Sequence, residues 1–160
     1  AQMPGVEHPP SLDVVDAERN GLWGWSYGGY RTLMSLFKSP AVFAAGVSGA
    51  PVTDWSLYDT HYTERYLGHP DHEPDNFTRT DLTGDAASLR RPLLLIHGLA
   101  DDNVVAAHTL RLSRALLEAG RPHTVLPLSG VTHMTPQEDV AENLLLVQLA
   151  FLREALGLDR

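Results

Sequence analysis

The sequence predicts an α/β domain built on a mainly parallel sheet of about four strands. Two observations carry this expectation. Short apolar runs alternate with stretches of helical spacing along the chain, and one run, PLLLIHG at 92–98, is apolar without interruption, as a strand covered on both faces requires. The length of 160 residues and the 43% hydrophobic content supply one core of ordinary size.

The elements follow in chain order. Residues 1–15, AQMPGVEHPPSLDVV, read as an irregular segment, and residues 16–160 as one domain. GLWGW at 21–25 suits a short strand, and 27–38 a helix stopped at Ser39 and Pro40, because proline cannot continue a helix. A second apolar run, FAAGVS at 43–48, ends at Gly49, Ala50 and Pro51. Residues 53–67 are aromatic and helical in parts, whereas 68–91 read as a polar loop region without a period. After the apolar strand at 92–98, helical spacing runs from about Val104 to Ala119 and is closed by Gly120 and Pro122. Residues 123–128 give a further strand. The last helix is expected to open with Thr135 as cap, Pro136 in the first turn and Glu138 completing a capping box, and to run beyond Leu152.

Composition narrows the function. A net charge of -8 and a pI near 5.3, with no cluster of Lys and Arg, argue against a phosphate-binding surface, so no nucleic-acid partner is expected. The absence of cysteine removes disulfides, thiolate metal ligands and a cysteine nucleophile together. The first residues have neither the basic start nor the apolar stretch of a leader, and no later segment has the length of a membrane span, so no membrane partner is expected. His69, Asp71, His72 and Asp75 cluster in the polar region, but two histidines three apart do not close a metal site without further ligands. Neither a metal nor another cofactor is expected.

Chemistry concentrates at three places. Gly24-Trp25-Ser26-Tyr27-Gly28 follows a strand and opens a helix, the setting of a G-x-S-x-G nucleophile elbow. Small residues are needed there because the strand and helix backbones approach closely, and the turn lifts the serine hydroxyl clear of the sheet. The N–H of Tyr27 would then meet a developing oxyanion. A serine hydroxyl is a weak nucleophile and needs a base, itself oriented by a carboxylate. Both appear in the chain order of α/β-hydrolases: Asp101 and Asp102 after the strand at 92–98, then His133 after the strand at 123–128. Each has a bland reading, since either aspartate could cap the helix that follows and His133 could be a plain loop histidine. Spacing does not separate Asp101 from Asp102. His97, at a strand end, reads as a hydrogen-bonded interior histidine.

GWSYGGY at 24–30, HGLADDNV at 97–104 and DTHYTERYLG at 59–68 resemble the catalytic α/β-hydrolase domain of the prolyl oligopeptidase family of serine peptidases, most closely its dipeptidyl peptidase IV-like branch. The resemblance runs from about Asp16 to the C-terminus. It implies that Ser26 is the nucleophile, His133 the general base and acid, and Asp101 the orienting carboxylate. It also implies that Tyr27, Val52, Trp55, Tyr58, Tyr62 and Val104 line a compact apolar pocket for proline or alanine, and that Asn103 contacts the polar end of a peptide substrate. From spacing alone, Tyr58 and Tyr62 would share one helical face, a pattern commoner in cores than in pockets.

The chain also departs from that pattern. The family has further strands ahead of the elbow, one carrying a tyrosine that donates to the oxyanion, and the dipeptidyl peptidases add a β-propeller whose acidic residues hold the peptide amino terminus. Neither precedes Ser26 here, so the chain resembles the C-terminal part of a larger peptidase, with those parts as its expected partners. The strand at 21–25 would then form an open sheet edge prone to self-association, which allows a homo-oligomer. Acylaminoacyl-peptidase, oligopeptidase, carboxylesterase and a catalytically weak fragment are the alternatives on the same scaffold.

Overall fold

The structure, a computed structural model, describes residues 16–158; the segment 1–15 expected to be irregular lies outside them. Four strands form one parallel sheet in sequential order: β1 (Gly21–Trp25), β2 (Ala45–Gly49), β3 (Leu93–Gly98) and β4 (Thr124–Leu128). The intervening helices are α1 (Tyr27–Lys38), α2 (Thr60–Leu67), α3 (Pro74–Thr80) and α4 (Ala107–Glu118), and α5 (Glu138–Ala155) closes the described chain. Short 3-10 turns occur at Trp55–Leu57 and Ala86–Ser88.

β3 shows how the sequence builds two layers. Its side chains alternate across the sheet: Leu93 and Leu95 join Leu33, Leu36, Leu112 and Leu116 in one cluster, whereas Leu94 and Ile96 join Val47 and Leu144 in the other. All six residues of β3 are buried, as an uninterrupted apolar run between two helical layers demands. α1 is amphipathic, with Leu33, Leu36 and Phe37 buried, and it ends at Ser39, whose N–H donates to the Ser35 carbonyl, just before Pro40. Gly120, at φ 65°, closes α4: its N–H and that of Arg121 donate to the Leu117 and Leu116 carbonyls, the pairing of a Schellman cap.

Three expectations need correction. The region 68–91 contains α3, a seven-residue helix with Pro74 at its start, Asp75 in the first turn and Arg79 in the last. None of its residues is buried, so no apolar period marks it, and its ends rather than a stripe define it. α4 begins at Ala107, later than the helical spacing from Val104 suggested, because residues 101–104 are held in a turn by Asp101. α5 begins at Glu138, with Gln137 still extended and no side-chain cap, so Thr135, Pro136 and Glu138 do not form a capping box. Because Gln137 is still extended, the helix starts two residues after Pro136, out of reach of a Thr135 cap, and Glu138 and Asp139 in the first turn instead complement the helix dipole.

Candidate active site

The parallel strands place Ser26, Asp101 and His133 at the C-terminal end of the sheet, each beyond a strand end. Ser26 lies between β1 and α1 with φ 58° and ψ -121°, a left-handed conformation that costs a residue with a Cβ on the order of 1–3 kcal/mol. Its N–H donates to the Gly49 carbonyl (2.8 Å) and its carbonyl accepts from the Tyr30 N–H (3.1 Å), so the strain is held from both sides. A Cβ on Gly24 would collide with the Gly28 backbone, the close approach expected of such an elbow. Gly28 itself faces open space, so its own side chain is not what the packing forbids. Tyr27 opens α1, where a backbone N–H has no helical carbonyl to pair with, and no acidic residue occupies that first turn.

The two aspartates part company. Asp101 is buried, Asp102 exposed. Asp101 Oδ1 accepts from the N–H groups of Asn103 (3.0 Å) and Val104 (2.9 Å), while its Oδ2 lies 2.8 Å from His133 Nδ1. Capping its own turn and facing the histidine are therefore not rival readings of Asp101; one oxygen does each. The second loop is zipped to the first: Leu99 and Ala100 donate to the carbonyls of Leu128 and Val131 at 2.9 and 3.0 Å. A Cβ on Gly98 would strike the backbone of Val131 and Thr132, so glycine is what lets the histidine loop come this close. From the other side the Trp25 indole N–H donates to the His133 carbonyl at 2.8 Å, joining the residue before Ser26 to the base. The His133 side chain is 16% exposed, against 0% for that of Asp101.

Beside Ser26 the aromatics pack into a box. Tyr27 stacks on Tyr30 (5.8 Å between centroids), Trp55 stacks on Tyr62 (5.9 Å), and Tyr58 stands edge-on to both Trp55 (5.7 Å) and Tyr62 (5.5 Å). Tyr27, Tyr30, Trp55, Tyr62, Thr63, Tyr66, Leu67 and Thr80 line a cavity of about 380 Å³. The Tyr58 hydroxyl donates to Asn103 Oδ1 at 3.0 Å, which ties this box to the aspartate loop. Val52 and Val104 are fully buried in the core cluster that also contains Trp55. Tyr58 and Tyr62 do not share a helix: Tyr58 ends the 3-10 turn, and Asp59 then caps α2 by accepting from the Tyr62 N–H at 2.9 Å.

Tyr30, Thr63, Tyr66, Leu67 and Thr80 escaped the sequence reading as cavity residues. Tyr66 is four residues beyond Tyr62 on α2 and could have been found by continuing that spacing, whereas Tyr30 and Thr80 meet the cavity only through the fold. Burial raises the pKa of Tyr30, with the neighbouring Tyr27 adding to it, and burial likewise raises that of Tyr58. Burial lowers that of His97, which is an interior, hydrogen-bonded histidine as expected. Among the described residues no group of three or more His, Asp or Glu is placed to hold a metal ion, and the rings of His69 and His72 lie tilted against each other with centroids 5.1 Å apart. No helix among them is long and apolar enough to cross a membrane.

A parallel sheet with helices on both faces, and a strained serine between strand and helix, define an α/β-hydrolase fold. The sequence matches the prolyl oligopeptidase family over residues 2–159, a match that reaches ahead of Asp16, and the chain belongs to that family. It is 39% identical over 160 residues to human dipeptidyl peptidase 8, covering 98% of this chain and 18% of that protein. It is 44% identical over 112 residues to bovine dipeptidyl peptidase 4, covering 68% and 15%. The crystal structure of Porphyromonas gingivalis dipeptidyl peptidase 4 superposes with a TM-score of 0.90 at 35% identity, over 96% of this chain and 22% of that one. The chain thus spans about a fifth of the length of the relatives it matches.

Proposed function

We propose that residues 16–160 form part of the catalytic domain of a serine-type dipeptidyl peptidase that releases N-terminal dipeptides after proline or alanine. The observation that carries this reading is the Asp101 carboxylate, buried and divided between its own turn and His133, in a loop zipped to the histidine loop, whose His133 carbonyl is bound in turn by Trp25, the residue before Ser26. The names of the relatives point to dipeptide release rather than to the esterase and acylaminoacyl alternatives.

In this reading His133 Nδ1–H is bound by Asp101, which leaves Nε2 free to take the Ser26 hydroxyl proton as Oγ attacks the scissile carbonyl. The Tyr27 N–H stabilises the oxyanion, and removing a donor of this kind costs about 2.7–4 kcal/mol. As the C–N bond breaks, His133 returns the proton to the leaving amine. Water then attacks the acyl-enzyme, gives its proton to His133 and frees Ser26. Tyr27, Trp55 and Tyr62 hold the proline ring, whose rigidity makes it cheap to order; Tyr58, edge-on to Trp55 and Tyr62 but outside the cavity lining, and buried Val52 and Val104 support them, and Asn103 meets the polar end of the peptide. We assign the second oxyanion donor, and the groups that hold the peptide amino terminus, to parts of the protein outside this chain. Neither a metal nor another cofactor enters any step.

Substrate profiling of the full-length protein tests the assignment. Gly-Pro and Ala-Pro chromogenic amides should be cleaved with kcat/KM at least about a hundredfold above N-acetyl amino-acid amides and short acyl esters. Preference for blocked amino termini or esters would contradict dipeptide release.

A further inference from the structure

His97 is a histidine beside the candidate acid for which the proposed chemistry has no use. It is 1% exposed, and both ring nitrogens are engaged: Nδ1 lies 2.7 Å from Thr109 Oγ1 on α4, and Nε2 lies 2.7 Å from the Val104 carbonyl oxygen. A carbonyl only accepts, so Nε2 carries the proton and Nδ1 accepts from the Thr109 hydroxyl; the partners assign this tautomer. The ring is then neutral, in agreement with the lowering of its pKa by burial.

The Val104 carbonyl held by His97 belongs to the residue whose N–H is held by Asp101 Oδ1. The aspartate turn is therefore pinned twice, by a carboxylate at an amide and by an imidazole at the carbonyl of the same residue. The His97 Nε2–H is also 3.5 Å from Asp101 Oδ2, the oxygen that faces His133. At that distance it is a secondary electrostatic contact beside the main bond to Val104. His97 links β3, the aspartate turn and α4, so displacement of the turn that carries Asp101 would disturb its bond to the Val104 carbonyl.

We propose that His97 is a positioning residue that fixes the Asp101 carboxylate on His133. The proposal rests on the reading of Asp101 as the orienting acid, and the test separates the two. The rate of fluorophosphonate labelling at Ser26 is measured in the full-length protein for the native sequence, His97→Phe, Asp101→Asn and the double variant, with folding checked by thermal melting. Asp101→Asn should slow labelling strongly. His97→Phe, which keeps a flat ring and removes both nitrogens, should slow it by about a hundredfold through misplacement of the acid. In the Asp101→Asn background the same change should cost less than about threefold, because the group it positions is already gone. His97→Gln, whose amide N–H reaches where Nε2–H stood, should recover most of the rate. Full labelling by Asp101→Asn overturns the catalytic reading and this proposal with it. Normal labelling by His97→Phe, losses that multiply in the double variant, or no rescue by Gln overturn the positioning role alone. If His97→Phe does not fold, the same cycle with Thr109→Val, which removes the partner of Nδ1, decides with the same outcomes.

Discussion

At the scale of single residues the site turns on burial rather than on residue type. Asp101 and Asp102 are chemically identical neighbours, yet only Asp101 is sealed in and faces His133. Asp101→Asn should lower kcat/KM by roughly 10³- to 10⁴-fold, while Asp102→Asn should stay within about threefold, as measured on a Gly-Pro amide. Equal losses from the two would contradict the assignment. This distinction was not legible in the sequence, because both residues precede the same helix at capping distance, and only the resemblance picked out the first. The roles of Ser26 and His133, by contrast, could be read from order and context, since each follows a strand and the glycines beside Ser26 admit few other geometries.

At the scale of elements, α4 holds the pocket and the aspartate loop together through two buried neighbours. Thr109 bonds His97, and His108 Nδ1 accepts from the N–H groups of Thr53 (3.1 Å) and Asp54 (3.4 Å), just before the turn that carries Trp55. Burial, assisted by His97 and Arg111 and opposed by Asp54 and Asp101, lowers the His108 pKa from 6.5 to about 4. Between those values the unfolded chain binds a proton that the folded chain refuses, so stability falls as pH drops through that window and levels off below it. The loss between pH 7 and pH 4.5 should be about 2 kcal/mol, read from urea unfolding curves at the two pH values. His108→Asn should flatten the dependence in part, because His97 is lowered in the same direction. An unchanged slope would contradict the account. Strands were the most legible elements, and β2 and β3 most of all, since their apolar runs are buried on both faces. α3 and the start of α5 were not: the first carries no apolar stripe, and the second begins where Pro136 lets the chain turn rather than where a capping pattern suggests.

At the scale of the whole molecule, β1 borders the described sheet, with Trp23 58% exposed, and α5 presents Leu145, Leu146 and Leu149 to solvent. Among the described residues no strand pairs with the outer side of β1, and a parallel edge of that kind next to apolar surface favours association. Sedimentation velocity on this chain should show concentration-dependent association, and Trp23→Lys should shift it towards monomer. A monodisperse monomer at all concentrations would contradict this reading of the edge. The central claim is that Ser26, His133 and Asp101 form one working unit, and labelling by a fluorophosphonate probe, mapped by mass spectrometry on the native chain and on His133→Ala, tests it most directly. The account predicts a single label on Ser26 that is lost in His133→Ala. A folded chain labelled elsewhere, or on Ser26 at the same rate without His133, would contradict it.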